Sequence, residues 1–123
     1  MALTDHFDNT ALRFLYDMMA EDFPLLVTLF CQDADERLPR LQQALHAGDC
    51  AAVASLAHSF KGAAANISAI RLTNMLQQLE DAGRAGHLGG TCVLAEAIGQ
   101  EYIAVRDCLQ ALVDKTGPVF AEL

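Results

Sequence analysis

The 123-residue sequence lacks the motifs by which a chain of this size would bind a nucleotide or a structural metal. It contains neither the phosphate-binding loop that ends in Gly-Lys-Ser or Gly-Lys-Thr nor the glycine loop of protein kinases. Its four cysteines form no CxxC pair, and none lies at zinc-like spacing from a histidine. We therefore expect no ATP-dependent kinase activity and no metal site in this chain.

Positive charge is also scarce, since 8 Lys and Arg residues stand against 16 Asp and Glu residues and the formal net charge is −8. An acidic surface repels nucleic acid and anionic membranes, so we expect protein partners instead. The sequence begins without the basic and apolar regions of a signal peptide. The apolar stretch from Phe23 to Cys31 contains Pro24 and is too short to span a bilayer. We expect a cytoplasmic protein, since a reducing compartment suits unpaired cysteines.

Signals for β-structure are missing, because no segment alternates regularly between apolar and polar residues and no Asn-Gly turn occurs. Apolar residues instead recur at helical spacing in a short segment from about Asn9 to Ala20 and in four longer segments. Gly48 separates two of these segments, the glycines between residues 83 and 90 predict a flexible connection, and Gly117-Pro118 is expected to stop the last helix.

These patterns predict an all-α fold, an antiparallel up-down four-helix bundle with a short extra N-terminal helix packed across one end. The length fits a single domain over residues 1–123, with a core of about 9–115.

The third predicted helix has an outer face made of small side chains around one imidazole. Its core stripe consists of Val53, Leu56, Phe60 and Ile67, and the opposite face consists of Ala51, Ala54, Ser55, His58, Gly62 and Ala65. Exposed helix faces normally carry charged residues, yet Lys61 is the only fully charged residue between Asp49 and Arg71. Gly62 costs about 0.5–1 kcal/mol relative to alanine in mid-helix, so close approach by another molecule would explain it.

This face suits a transferable phosphoryl group. An imidazole nitrogen can act as a nucleophile and form a covalent intermediate, and we expect attack through Nε2 of His58. Lys61, one turn away, would neutralise phosphoryl oxygens. His58 and Lys61 are therefore candidate catalytic residues. The candidate binding residues of the docking face are Ala54, Ser55, Gly62 and Ala65.

Residues 57–69 read Ala-His-Ser-Phe-Lys-Gly-Ala-Ala-Ala-Asn-Ile-Ser-Ala and resemble the signature of histidine-containing phosphotransfer (Hpt) domains, A-H-x-L-K-G-x-x-x-N-x-G-A. Leu79-Glu80 matches a further recurrent pair, and the resemblance extends from about Leu12 to Leu112. Phe60 stands where leucine is commoner, and Ser68 stands where glycine is usual. We expect Ser68 to cap the fourth helix instead.

The resemblance implies a phosphocarrier in a multistep phosphorelay, with His58 as phosphoacceptor, Lys61 as electrostatic assistant and Gly62 as the residue that permits docking. The donor would be a phospho-aspartate on the receiver domain of a hybrid sensor histidine kinase, and the acceptor a response-regulator receiver domain. The receiver would also bring Mg²⁺, and this chain is expected to be a monomer.

Two alternatives remain open. The bundle could dock on a receiver without phosphotransfer, or its small-residue face could be a dimer interface. The other histidines are weaker candidates for the phosphoacceptor. We expect His6 to lie in a frayed terminus, His46 at the end of the second helix and His87 in the glycine-rich connection.

Overall fold

The computed structural model describes residues 5–123, and the regular secondary structure of this part of the chain is helical. The helices are α1 (Asn9–Met19), α2 (Phe23–Ala47), α3 (Cys50–Asn66), α4 (Ile70–Ala85), α5 (Thr91–Asp114) and α6 (Gly117–Glu122), with a 3₁₀ turn (Ala20–Asp22) between α1 and α2. Within the described range, no helix is long and apolar enough to cross a membrane.

Helices α2 to α5 pack as a four-helix bundle. Helix α3 contacts α2 and α4, and α5 closes the bundle by contacting both α4 and α2. The short connections make consecutive helices antiparallel. The largest side chains that are fully buried come from all four helices and from α1: Leu12, Phe23, Phe60, Leu72, Leu76, Ile98 and Leu109. The predicted all-α bundle is confirmed.

Helix α1 lies across the end of the bundle where α2 begins and where α3 turns into α4, as predicted. Leu12 is fully buried, and the Tyr16 ring meets the Phe23 ring edge-on with 5.0 Å between centroids. The Asp8 amide donates a hydrogen bond to the Ser68 carbonyl over 3.0 Å.

Two of the sequence-based boundaries are wrong. Gly83 does not begin a flexible connection, because it is buried inside α4, which ends only at Ala85. Gly117-Pro118 lies beyond the end of α5, which ends at Asp114, and these two residues begin α6. Proline is favoured there because backbone N–H groups in the first turn of a helix have no acceptor within the helix.

The turn between α3 and α4 also differs from its prediction. Ser68 does not cap α4. The N-cap residue of α4 is Ala69, and no side chain makes a capping hydrogen bond there. Ser68 instead adopts a left-handed conformation, with φ at 63°. Glycine enters that region without steric cost, which explains why the Hpt signature carries glycine at this position.

His6 packs against the bundle, contrary to its prediction. It is buried, and its Nδ1 lies 2.6 Å from Oε2 of Glu101 on α5. The Arg71 amide donates to the His6 carbonyl over 3.3 Å. The expectation that His6 belongs to a frayed terminus is therefore wrong, and the residue contacts both α4 and α5.

Candidate functional site

Helix α3 places His58 on the outside of the bundle. Asp49 is the N-cap residue of this helix, and its side chain accepts a hydrogen bond from the Ala52 amide and caps the first turn. The buried side of α3 consists of Val53, Ala57, Phe60 and Ala64. The His58 side chain points away from that core and is 61% exposed. Its small neighbours share the outer face: Ala51, Ser55, Gly62 and Ala65 are exposed, and Ala54 is partly buried.

Gly62 has no packing reason to be glycine within the described chain. A Cβ built on this residue would meet no atom within 4 Å outside its own helix. Alanine would fit at this position and would favour the helix, so packing within the described chain does not explain why the residue is glycine. This strengthens the sequence-based interpretation that another molecule approaches the surface here.

Glu80 on α4 supplies a carboxylate directly beside the His58 ring. Its oxygens Oε1 and Oε2 lie 3.2 Å and 3.3 Å from Nδ1 of His58. The Glu80 side chain is only 3% exposed, so the carboxylate sits at the buried edge of an otherwise open ring. Burial of a charge is costly unless the charge is paired, which directs attention to its other partners.

Lys61 is the second partner of this carboxylate. Its Nζ lies 2.8 Å from Oε1 of Glu80 and donates a hydrogen bond to Oε1 of Gln77 over 2.7 Å. His58 Nδ1 and Lys61 Nζ thus both lie within 3.2 Å of the same glutamate oxygen. The two candidate catalytic residues predicted from the sequence therefore meet at a residue of the neighbouring helix.

Arg84 is the third partner and holds the other oxygen. One of its guanidinium nitrogens lies 2.6 Å from Oε2 of Glu80, one turn earlier on α4, while the arginine side chain is 64% exposed. A glutamate four residues before a basic residue is the favourable order for such a pair on a helix. We refer to His58, Lys61, Glu80 and Arg84 as the Glu80 cluster.

The cluster keeps Glu80 ionised. The hydrogen bond from Lys61 is the main cause that lowers the pKa of the Glu80 carboxyl below its ordinary value; burial opposes it, and His58 and Arg84 lower the pKa further. The net direction is downward, so Glu80 is a carboxylate near neutral pH.

An ionised carboxylate can only accept hydrogen bonds, so the proton of a neutral His58 ring belongs on Nδ1. The lone pair is then on Nε2, the nitrogen further from the backbone. The free lone pair is thus on the atom that the sequence analysis expects to attack.

Sequence reasoning missed Glu80 and Arg84 as site residues. Glu80 entered only as part of a recurrent pair with Leu79, and Arg84 was not considered. One signal was available: Gln77, Glu80 and Arg84 are spaced by three and four residues and therefore share one face of α4. The remaining histidines lie outside the cluster, with His46 and His87 exposed near the ends of α2 and α4.

Metal-binding side chains are not grouped in this part of the chain. Among residues 5–123, no three His, Cys, Asp or Glu residues are placed together as metal ligands would be.

Two comparisons find relatives. The family model described as "Hpt domain" matches residues 25–115. The crystal structure of histidine-containing phosphotransfer protein B (HptB) from Pseudomonas aeruginosa PAO1 is similar with a TM-score of 0.85 and 34% sequence identity, over 91% of this chain and 97% of that chain. No curated protein sequence matches this chain significantly.

Proposed function

This chain belongs to the Hpt domain family, whose function is histidine phosphotransfer in phosphorelays, and we propose that it carries the phosphoryl group on Nε2 of His58. The observation that supports this proposal most strongly is the contact between the exposed His58 ring and the ionised Glu80, because it places a proton on Nδ1 and a lone pair on Nε2. The protein is thus a phosphocarrier that takes its phosphoryl group from a partner.

The donor in this proposal is an aspartyl phosphate on a receiver domain. The Nε2 lone pair forms a new N–P bond while the P–O bond to the aspartate breaks, and the electron pair of that bond leaves with the aspartate as a carboxylate. The proton on Nδ1 stays in place, so the phosphorylated ring is positively charged beside Glu80. In onward transfer an aspartate carboxylate of the next receiver attacks phosphorus, and the electrons of the N–P bond return to Nε2.

Phosphoryl transfer needs alignment and charge neutralisation more than covalent chemistry by the scaffold. Lys61 is the cation of this chain that would neutralise phosphoryl oxygens, since it is one helical turn from His58 and a lysine ammonium is a compact charge on a flexible stem. The receiver would bring Mg²⁺ and the rest of the catalytic groups.

The docking face in this proposal is the strip of small side chains around His58, namely Ala54, Ser55, Gly62 and Ala65. A receiver's active site must close over the imidazole, and long side chains at these positions would hold it away. The proposed partners are the receiver domain of a hybrid sensor histidine kinase upstream and a response-regulator receiver downstream. We also propose a monomer in the cytoplasm, a compartment that keeps unpaired thiols such as its four cysteines reduced.

The direct test is phosphorylation by a labelled receiver. Incubation of the protein with a receiver domain carrying labelled aspartyl phosphate should transfer the label to this chain, in a bond stable to base and labile to acid. His58→Gln should abolish labelling. His46→Gln is the matched control, because His46 is exposed on α2 outside the Glu80 cluster, and it should be labelled like the wild type.

Three results would contradict the proposal. Labelling of the His58→Gln protein would move the phosphoacceptor elsewhere. A receiver that binds this chain without transferring label would favour a docking module. A stable dimer in sedimentation that protects His58 from labelling would favour an oligomerisation surface.

A further inference from the structure

While His58 is unphosphorylated, the single negative charge of Glu80 is paired with the positive charges of two side chains. Lys61 lies 2.8 Å from Oε1, and Arg84 lies 2.6 Å from Oε2. His58 Nδ1 shares Oε1 with Lys61. The Glu80 carboxylate is therefore paired with two cations, Lys61 and Arg84. Its other close polar partner in the Glu80 cluster is the His58 ring.

Phosphorylation of His58 changes this balance, because the phosphoryl group adds about two negative charges close to Lys61. Lys61 carries a compact charge on a flexible stem, so it can exchange one anion for another. Arg84 is bound to Oε2 of Glu80, the oxygen that Lys61 does not hold, and comes from the same helix as Glu80, so it can stay when Lys61 turns to the phosphoryl group.

We propose that Arg84 is a positioning residue for the phosphotransfer reaction: it keeps Glu80 ionised and directed at Nδ1 of His58 while Lys61 moves to the phosphoryl group. This inference rests on the proposed function. Arg84 acts through Glu80 and need not touch the phosphoryl group. It supplies the carboxylate with a counter-charge from its own helix.

The consequence appears in which ring nitrogen of His58 carries the proton. The groups that face Glu80 are His58 and Lys61 from α3 and Arg84 from α4, with Gln77 bridging Lys61 to Asp81. Without Arg84, Lys61 can turn to the phosphoryl group only by leaving the buried carboxylate without a lysine or arginine partner in the cluster. The carboxylate is then held less firmly at Nδ1, the Nδ1–H tautomer loses part of its preference, and the transfer rate should fall near neutral pH.

The experiment compares Arg84→Gln with the wild type in the rate of phosphorylation by a labelled receiver near neutral pH. We expect a loss of about tenfold. Arg84→Lys should recover most of the rate. Arg106→Gln is the matched control, because it removes the same charge from an exposed arginine on α5, and it should change neither.

A second readout does not depend on phosphotransfer. Nitrogen-15 NMR of the His58 imidazole at a pH where the ring is neutral should report the Nδ1–H tautomer in the wild type and in Arg106→Gln, with that tautomer less populated in Arg84→Gln.

The outcomes separate this inference from the proposed function. If the wild type accepts no label, the proposed function fails regardless of Arg84. If the wild type accepts label but Arg84→Gln keeps the wild-type rate and tautomer, the role of Arg84 is overturned and the phosphocarrier function stands. A lower rate in Arg84→Gln with the tautomer unchanged also overturns it, because such a loss would not pass through Glu80.

Discussion

The buried carboxylate of Glu80 lies 3.2 Å and 3.3 Å from Nδ1 of the exposed His58. This contact joins α4 to α3 and also sets which nitrogen of the ring carries the proton. Because Glu80 is paired with Lys61 from α3 and with Arg84 from its own helix, the cost of burying its charge is offset locally. Stability and reactivity are therefore linked at one side chain, and both can be tested through it.

Glu80→Gln should slow phosphorylation of His58 by about tenfold or more. Glutamine keeps the size of the side chain, but it removes the negative charge that stabilises the positively charged phosphorylated ring. The measurement is the initial rate of label transfer from a phosphorylated receiver. Glu96→Gln is the matched control, because it makes the same chemical change at an exposed glutamate of α5 and should leave the rate nearly unchanged. Equal rates for the two variants would refute a role for the Glu80 charge.

Acidification should remove a stabilising contribution of Glu80. The folded protein holds the pKa of this carboxyl below its ordinary value of 4.5. Such a group stabilises the folded state above its unfolded pKa, and that contribution is lost as pH falls through the lowered value. The free energy of unfolding of the wild type minus that of Glu80→Gln should thus be constant near neutral pH and decrease below about pH 4.5. Urea unfolding at a series of pH values measures it, and an increase on acidification would contradict the lowered pKa.

The fold was predictable because its signals are local. Apolar residues at helical spacing marked each of the long helices, and Asp49 and Gly48 marked the boundary between α2 and α3. Gly83 misled the prediction because glycine favours a helix end when only neighbouring residues are considered. The reason for Gly83 is tertiary, since α3 passes too close to it for any side chain.

The site was predictable only where it lies within one helix. His58 and Lys61 are three residues apart, so periodicity places them together. Glu80 is 22 positions from His58 and Glu101 is 95 positions from His6, and helical spacing cannot say which residues of different helices meet. Glu80 and Glu101 are both buried glutamates, a residue type that sequence analysis assigns to the solvent.

Gly83→Ala should destabilise the protein by about 1–3 kcal/mol. A Cβ at this position would lie 2.8 Å from the Ala54 nitrogen and 2.9 Å from the Cys50 oxygen, and these backbone atoms of α3 cannot move away without shifting the helix. Gly99→Ala is the matched control, because a Cβ there meets nothing within 4 Å, and it should stabilise α5 by about 0.5–1 kcal/mol. Urea unfolding of both variants gives the comparison, and a Gly83→Ala protein as stable as the wild type would contradict the close approach.

Ser68→Gly should stabilise the protein by about 1 kcal/mol, because the serine occupies a left-handed conformation with φ at 63° that glycine adopts without strain. Ser59→Gly provides the opposite case, since Ser59 lies inside α3 and glycine there should cost about 0.5–1 kcal/mol. Thermal or urea unfolding measures both. Destabilisation by Ser68→Gly would mean that the serine side chain makes a contribution larger than the backbone strain.

Gly62→Ala should separate stability from function. No atom lies within 4 Å of a Cβ at Gly62, so alanine fits and should stabilise α3 by about 0.5–1 kcal/mol. If Gly62 provides clearance for a docking receiver, the added methyl group should also slow label transfer by about tenfold, through misplacement of the reacting atoms.

Gly99→Ala is again the matched control for Gly62→Ala, because it makes the same chemical change inside α5 with the same expected gain in stability. Its transfer rate should equal that of the wild type. Raising the receiver concentration then distinguishes weaker docking, which a higher concentration overcomes, from misalignment of a bound pair, which it does not. A Gly62→Ala protein that is more stable and transfers label at the wild-type rate would show that the glycine does not serve docking.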